Sequence, residues 1–254
     1  MGRPCALHLH NAGHKLAVYA RRQVSLAPFE EAGANICMTP AAVAEDSDVI
    51  FVNVSDTPDV EQVVLGDDCI IHGASPDSVV VDMSTISPVA TREIAAKLQQ
   101  KGIHMLDAPV SGGQAGAENG VLTVMTGGAP DVFERVRPVM ASYGRTLRLM
   151  GPPGAGQLTK MVNQICIAGL VQGLAEALDA SERALKLATT RYREGYSDFQ
   201  RVLDAQRSQF AQAENALVNH GNHISSVISL YKALGGGWMT KEAMAQQEAQ
   251  ATTP

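Results

Sequence analysis

The sequence lacks the features that would place the protein outside the cell or in a membrane. Its four cysteines are scattered with no CxxC spacing, so we expect reduced thiols rather than a disulfide framework or a zinc site. No metal site is predicted, and the N-terminus does not resemble a signal peptide. No apolar run approaches the roughly 18–20 residues of a transmembrane helix. A cytoplasmic protein without membrane insertion is therefore expected.

Excess positive charge is also absent. The formal net charge is −6 and the pI is near 5.6, which argues against a nucleic-acid partner. What the chain has is apolar material, since hydrophobic residues make up 45% of 254 residues. That is enough for the core of one large domain or two small ones. An anionic ligand would require a local basic site.

Short apolar runs alternate with amphipathic stretches over residues 15–151, a pattern typical of strands and helices in turn. The predicted strands are residues 15–20, 48–54, 78–83, 104–107, 122–126 and 146–150. The predicted helices are residues 6–13, 25–33, 87–102 and 131–143. This order predicts an α/β fold with a doubly wound, Rossmann-like parallel sheet. We assign it to residues 1–153.

The second half has a helical period instead. Mostly apolar positions repeat at spacings of four and three, as in a coiled-coil seam, with an interruption at Gly195. Before the glycine they are Ile167, Val171, Leu174, Leu178, Ser181, Leu185, Ala188 and Tyr192. After it they are Phe199, Leu203, Gln206, Phe210, Ala213, Leu217, His220, Ile224, Val227, Tyr231 and Leu234. We predict a long helix and hairpin over residues 154–238 with its tip at Gly195, a disordered tail over 239–254, and a homo-oligomer held through residues 165–235.

Two glycine-containing segments carry a family resemblance. Residues 107–128 begin Asp-Ala-Pro-Val-Ser-Gly-Gly, and residues 151–160 read Gly-Pro-Pro-Gly-Ala-Gly-Gln-Leu-Thr-Lys, followed by Asn163. Together they resemble the substrate and catalytic signatures of the β-hydroxyacid dehydrogenases, which include 3-hydroxyisobutyrate dehydrogenase and tartronate semialdehyde reductase (2-hydroxy-3-oxopropionate reductase). The residues around Lys160 resemble the second of these more. The dehydrogenase resemblance extends over residues 1–178.

The resemblance implies roles for the residues in these segments. Ser111, Gly112 and Gly113 would bind the substrate, because a hydroxyl and closely approached backbone N–H groups suit an anion. Lys160 would be the general acid or base. Asn163, on the same helical face, would orient the substrate, with Gln164 beside it. Ser111 and Asn163 are counted with Lys160 as catalytic residues. A single helical lysine, taken alone, would be a solvated side chain.

The usual start of the family is incomplete in this sequence. A dinucleotide fold begins with a strand and a Gly-x-Gly-x-x-Gly turn, whereas Met1-Gly2-Arg3 resembles only the end of that turn. The first strand and the first two glycines of the turn are missing. We therefore expect the neighbours of that strand to lose a pairing partner, and we expect weaker cofactor binding and lower activity. Alternatively, Met1 is a mis-called or truncated start.

Other residues are candidates for holding the cofactor. Arg21 and Arg22 follow residues 15–20, which correspond to the second strand of the family's fold. An acidic residue at this place would favour NAD. Two arginines favour the 2′-phosphate of NADP instead, or they form a solvated loop. The remaining candidates are Gly2, Val54, Ser55, Thr57 and Thr85. They follow strand ends or begin a helix, with Thr85 placed near the nicotinamide by the resemblance. Such residues also serve as ordinary helix caps.

Residues 180–238 carry a second resemblance, to outer-membrane efflux channel proteins of the NodT-like type. It rests on the stretches 184–188, 191–195, 198–199, 202–207 and 231–238. In those channels this region is a periplasmic helical hairpin. With a dehydrogenase-like first part and an efflux-channel-like second part, the chain resembles a fusion of two gene fragments. The favoured function is an NADP-dependent oxidoreductase, with NAD less favoured, acting on a small semialdehyde such as 2-hydroxy-3-oxopropionate or its hydroxy acid. The alternative is a helical interaction protein derived from an efflux channel.

Overall fold

The computed structural model describes residues 1–214. Within that range the chain forms two compact units, residues 1–158 and residues 159–214, which are described separately.

The first unit alternates strands and helices. Its strands are β1 (Ala17–Val18), β2 (Asn35–Ile36), β3 (Val49–Val52), β4 (Val79–Asp82), β5 (His104–Asp107), β6 (Val110–Ser111), β7 (Leu122–Gly127) and β8 (Gly144–Gly151). Its helices are α1 (Gly2–Asn11), α2 (Ala27–Glu31), α3 (Pro40–Glu45), α4 (Thr57–Leu65), α5 (Ile70–Gly73), α6 (Pro88–Gln99), α7 (Gly113–Glu118) and α8 (Pro130–Met140), with a 3₁₀ turn at Gln23–Ser25. Each predicted strand and helix of this half is present. The sequence analysis missed β2, β6, α3, α4, α5 and α7, which are short or carry a proline in their first turn.

The strands form two sheets. Strands β1 and β2 pair in parallel with each other, and the larger sheet has the order β3-β4-β5-β7-β6, with β8 beside β7. Among residues 1–214, neither β1 nor β3 has a second strand partner.

The larger sheet is mixed rather than wholly parallel. Strands β3, β4 and β5 are parallel, but β7 runs antiparallel to β5 and β6. Short connections explain why β7 is antiparallel to its neighbours. Only two residues separate β5 from β6, and only the short α7 with its flanking turns separates β6 from β7. A parallel crossover needs a dozen or more residues with a helix packed on the sheet.

Both faces of the larger sheet are covered by apolar side chains, as a doubly wound fold requires. In β4, Val79 and Val81 pack into one core and Val80 into the other. The first core receives Cys5 of α1 and Phe133 of α8. The second receives residues of α4 and α6. The predicted α/β Rossmann-like class is therefore confirmed.

The second unit is helical. Helix α9 (Ala155–Arg193) begins in the first unit and continues into the second. It ends just before Gly195, whose φ is +77°, and helical structure resumes over 199–214. The rings of Tyr192 and Phe199 lie 5.2 Å apart on either side of this turn. The predicted turn at Gly195 is thus present. The predictions for Leu217 to Leu234 and for the tail concern residues outside those that the structure describes.

The predicted seam positions are the less exposed ones in α9, but most of those after the turn are exposed. Every predicted position from Ile167 to Ala188 is buried or half-buried. The exposed members of the predicted seam are Tyr192, Phe199, Gln206, Phe210 and Ala213. On the second arm the less exposed positions are 202, 203, 205, 209 and 212, mostly one residue earlier than predicted. A heptad spacing predicts how often buried residues recur along a helix. It does not predict at which residue the pattern resumes after the turn at Gly195.

Helix α9 is also long and apolar. It contains an 18-residue window of mean hydropathy 1.3, of which 11% is buried. By length and composition it is able to cross a membrane, so the expectation that no stretch would meet this criterion is wrong. A single such helix is weak evidence for a membrane segment, because length and composition are the only grounds.

Candidate functional site

The carboxyl ends of β3, β4 and β5 meet at one edge of the sheet, because the three strands are parallel. The loops that follow are joined by hydrogen bonds. The backbone N–H of Val54 donates to Ser84 Oγ at 3.0 Å, and that of Ser87 donates to Thr57 Oγ1 at 3.2 Å. Ligands of open α/β sheets bind at this edge. The structure therefore brings together the predicted cofactor residues Val54 and Thr57, with the half-buried Thr85 adjoining Ser84.

Helix α1 begins beside the same edge. The N–H of Gly2 donates to Asn53 Oδ1 at 3.2 Å, and Asn53 directly follows β3. The side chain of the N-cap residue Met1 makes no capping hydrogen bond, and the first turn of the helix has no acidic residue. The N-terminus of a helix favours an anion, since its N–H groups lack intrahelical partners. These residues fit the phosphate groups of a dinucleotide.

The other predicted cofactor residues are exposed. Ser55 and Arg22 are on the surface, and the side chain of Arg21 is 82% exposed with one guanidinium nitrogen 3.6 Å from Asp59 Oδ1. An exposed ion pair is worth at most about 1 kcal/mol. The Arg21 guanidinium is thus available to an incoming phosphate at little cost.

The predicted substrate residues of the first unit lie at the β6–α7 junction. Gly112 has φ +133° and Gly113 has φ +65°, values that L side chains rarely adopt. Ser111 and Gly112 line a surface groove of about 410 Å³ whose rim includes Asn119 and Arg145. The sequence analysis missed Arg145, which belongs to no motif and supplies a positive charge beside Ser111.

Two buried carboxyl groups at the strand ends were also missed as functional groups. Asp82 and Asp107 end β4 and β5 and are register partners. Asp107 accepts backbone N–H groups on both oxygens, from Gly154 at 2.8 Å and Gln157 at 2.9 Å. Asp82 Oδ1 accepts the N–H of Ser84 at 2.9 Å, but Oδ2 has no hydrogen-bond partner. Their signal in the sequence is an acidic residue closing an otherwise apolar run.

The two carboxyl groups differ in their proton affinity. Burial raises the pKa of Asp82 to about 7, and the nearby Asp107 adds to this rise. Burial also raises the pKa of Asp107, but the backbone N–H groups of Gly154 and Gln157 oppose it. Hydrogen bonds to both oxygens favour the ionised form. The pKa of both carboxyl groups is therefore raised, and that of Asp82, at about 7, leaves this group partly protonated near neutral pH.

The predicted catalytic residues of the second unit lie on α9. Lys160 is only 8% exposed, and burial lowers the pKa of its amine. Asn163 donates from Nδ2 to Gln164 Oε1 at 3.5 Å, and Gln164 is itself buried. A buried lysine with a lowered pKa has the properties of a proton donor or acceptor. In residues 1–214, no group of three or more His, Cys, Asp or Glu residues is placed to hold a metal ion.

The close approach of backbone around Asp107 gives a test of the fold. A Cβ on Gly156 would lie 2.4 Å from the backbone oxygen of Met125 and 2.8 Å from Asp107 Oδ2. We expect Gly156→Ala to lower the free energy of unfolding by about 1–3 kcal/mol, as overpacking does. Denaturant titration measures the change. In the same helix, a Cβ on Gly169 meets no atom within 4 Å, so Gly169→Ala should be neutral or stabilising by up to about 1 kcal/mol. Equal effects at the two positions would contradict the described packing.

The chain is similar to known oxidoreductases. A model of the NAD-binding domain of 6-phosphogluconate dehydrogenase matches residues 1–151. An uncharacterized oxidoreductase of Shewanella frigidimarina is 40% identical, with 98% of this chain and 95% of the relative covered. The 2-hydroxy-3-oxopropionate reductase of Escherichia coli is 39% identical over 72% of this chain, which spans 63% of that relative.

A solved structure gives the same result. Mycobacterium tuberculosis 3-hydroxyisobutyrate dehydrogenase, determined with L-serine, matches with a TM-score of 0.69 and 27% identity over 78% of this chain and 69% of that one. The family model matches more than half of the chain, and the Shewanella relative is similar along nearly its whole length. The chain therefore belongs to the β-hydroxyacid dehydrogenase family of oxidoreductases, with an NAD-binding domain over residues 1–151.

Proposed function

We propose that the protein is an NADP-dependent reductase of small semialdehydes that carry a carboxylate, such as 2-hydroxy-3-oxopropionate, and that it oxidises the matching 3-hydroxy acids in reverse. The observation that carries the proposal is the cluster of Gly2, Val54 and Thr57 at the carboxyl edge of the sheet. The identity to the Escherichia coli reductase supports this substrate class. A cytoplasmic location goes with the proposal.

Lys160 is the proposed proton donor. A bound NADPH supplies the hydride, and an alkoxide develops on the substrate oxygen as the carbonyl is reduced. The protonated Lys160 amine gives that oxygen its proton, and its burial favours this because desolvation disfavours the charged form. In the oxidation direction the neutral amine takes the proton back. Asn163 and Gln164 orient the substrate in this proposal.

The substrate carboxylate is assigned to the β6–α7 junction. The backbone N–H groups of Gly112 and Gly113 and the Ser111 hydroxyl are suitable donors for a carboxylate. Arg145 contributes charge at the same groove. Ser111→Ala is expected to act mainly on the KM for the hydroxy acid, because it removes a binding contact that ground state and transition state share.

The proposed function is tested with purified full-length chain. NADPH oxidation is followed with 2-hydroxy-3-oxopropionate, and NADP⁺ reduction with 3-hydroxyisobutyrate and with L-serine. The proposal expects turnover of the first substrate that exceeds turnover of the other two. Absence of turnover with all three, together with no NADPH binding by calorimetry, would overturn it.

The proposed preference for NADP depends on Arg21 and Arg22. We expect Arg21→Asp to lower NADPH affinity about tenfold or more and to leave or improve NADH affinity, because a hydrogen bond to a charged phosphate contributes about 1.5–3 kcal/mol. Fluorescence titration with both nucleotides gives the ratio of dissociation constants. The exposed Arg183 provides a matched control, and Arg183→Asp should leave the ratio unchanged. An unchanged ratio in Arg21→Asp would show that Arg21 is surface charge only.

A second candidate function is association through the helical second unit. Its apolar side chains Val162, Ile165 and Leu170 are 56–63% exposed, and exposed apolar patches promote association. We propose a homo-oligomer held by this surface, and the efflux-channel likeness of residues 180–238 motivates an interaction role. Light scattering at tens of micromolar should give a mass above that of a monomer, and Leu170→Glu should reduce it. A monomeric wild-type chain would remove this candidate. The match of the Shewanella oxidoreductase across 98% of the chain favours the enzyme.

A further inference from the structure

Asp107 caps the helix that carries Lys160, although it belongs to a distant strand. Its two carboxylate oxygens accept the N–H groups of Gly154 and Gln157 at 2.8 and 2.9 Å, at the first turn of α9. These N–H groups have no intrahelical partner, so a helix needs such acceptors at its start. The capping side chain usually comes from the residue that precedes the helix. Here it comes from the end of β5, 47 residues earlier.

Backbone from two other segments lies close to the Asp107 carboxylate. A Cβ on Gly127 would lie 2.4 Å from Asp107 Oδ1, and one on Gly156 would lie 2.8 Å from Asp107 Oδ2. The two glycines therefore bring the backbone of β7 and of α9 against the carboxylate. Asp107 is 1% exposed, so water does not substitute for it as the acceptor.

Gln157 ties the same helical turn to β4. Its Nε2 donates to the backbone oxygen of Ser84 at 2.9 Å, and its Oε1 accepts the N–H of Ile86 at 3.2 Å. The side chain is fully buried and both ends of its amide are hydrogen-bonded. The start of α9 is thus held by side-chain contacts to the ends of two adjacent strands, at the edge assigned to the cofactor.

We propose that Asp107 is a positioning residue that, together with Gln157, fixes the first turn of α9 and thereby the placement of Lys160. Lys160 lies three residues beyond Gln157, about 4.5 Å along the axis of the same helix. Proton transfer requires the donor within about 2.6–3.2 Å of the substrate oxygen, and a displacement of about 1 Å costs on the order of 10²-fold in rate. The inference rests on the proposed function for the role of Lys160 in turnover.

The test uses full-length Asp107→Asn. Asparagine keeps one acceptor oxygen but places an NH₂ group against the second N–H, so the cap is half lost. We expect kcat to fall about 10–100-fold with the dissociation constant of NADPH changed less than twofold, as a misplaced donor predicts. The reactivity of Lys160 toward a small acylating reagent, quantified by peptide mass spectrometry across pH, gives the second reading. Its pH midpoint should move up toward that of an ordinary lysine, because a loosened helix start admits water.

The reactivity reading needs no turnover, so it separates this inference from the proposed function. The pH midpoint of Lys160 acylation can be measured even if the protein reduces no semialdehyde. Asp77→Asn is the control, because it removes the exposed contact of Asp77 with Arg135 without touching α9, and it should leave the midpoint unchanged. An unchanged midpoint in Asp107→Asn would overturn the inference. Should that variant fail to fold, Gln157→Met, which removes the tie to Ser84 and Ile86, must move the midpoint in the same direction, and no movement there would overturn it equally.

Discussion

Lys160→Ala is expected to lower kcat by roughly 10²–10⁴, the range for loss of a general acid. The NADPH dissociation constant should stay within about twofold, since a proton donor contributes to the transition state more than to cofactor binding. Steady-state NADPH oxidation and a separate nucleotide titration measure the two quantities. Because burial lowers the pKa of Lys160, the reduction rate of the wild type should fall as pH rises through that lowered pKa. The variant should lose this descending limb.

The matched control for Lys160→Ala is Lys186→Ala. Lys186 lies on the same helix but is exposed, so its removal should leave both kcat and the pH profile unchanged. A Lys160→Ala variant that keeps near-full kcat would remove this residue from proton transfer. The family membership of the chain would be unaffected by that result.

Asp82→Asn should make the protein more stable above neutral pH. The folded-state pKa of Asp82 is raised from 3.8 to about 7 by burial, so the folded chain binds more protons than the unfolded chain between these values. Stability contributed by this group is present at low pH and is lost as pH rises toward 7. At about 1.4 kcal/mol per pH unit the loss reaches as much as about 4 kcal/mol above pH 7. Urea titrations at pH 5 and pH 8 on wild type and variant measure the difference.

Asparagine keeps the oxygen that accepts the N–H of Ser84, so the substitution removes the charge with little change in shape. Asp77→Asn should behave oppositely, because Arg135 holds the pKa of Asp77 below its usual value and its stabilising effect is lost as pH falls. If the free energy of unfolding changes by the same amount between pH 5 and pH 8 in Asp82→Asn and in the wild type, Asp82 is not the group that titrates.

The sequence predicted the elements whose residues are buried on both faces. Val49–Val52 is apolar throughout and β4 is apolar up to its closing Asp82, and a strand covered by helices on both sides requires such a pattern. The reversal of β7 was not predictable in this way, because apolar composition carries no strand direction. The phase after Gly195 was missed for a similar reason, since a repeat of four and three fixes a period but not the rotation that a turn introduces.

The site divides along the same line. Ser111, Gly112 and Lys160 were predicted from the sequence because they belong to contiguous motifs. Gln157 and Asp82 were missed because their roles depend on contacts between segments far apart in the chain, such as Gln157 with Ser84. Hydrogen bonds of that kind leave no periodic trace in a sequence. Arg145 was missed because a single arginine on a strand is ordinarily surface charge.

The separation of the small β1–β2 sheet from the larger sheet has a consequence for the handling of the protein. Within residues 1–214, β3 pairs only with β4, and its four residues are Val, Ile, Phe and Val. A strand edge of this composition offers backbone hydrogen-bonding groups to any extended chain, and its β-branched and aromatic residues favour strand addition. During expression and refolding, this edge is where we expect amyloid-like self-templating to begin.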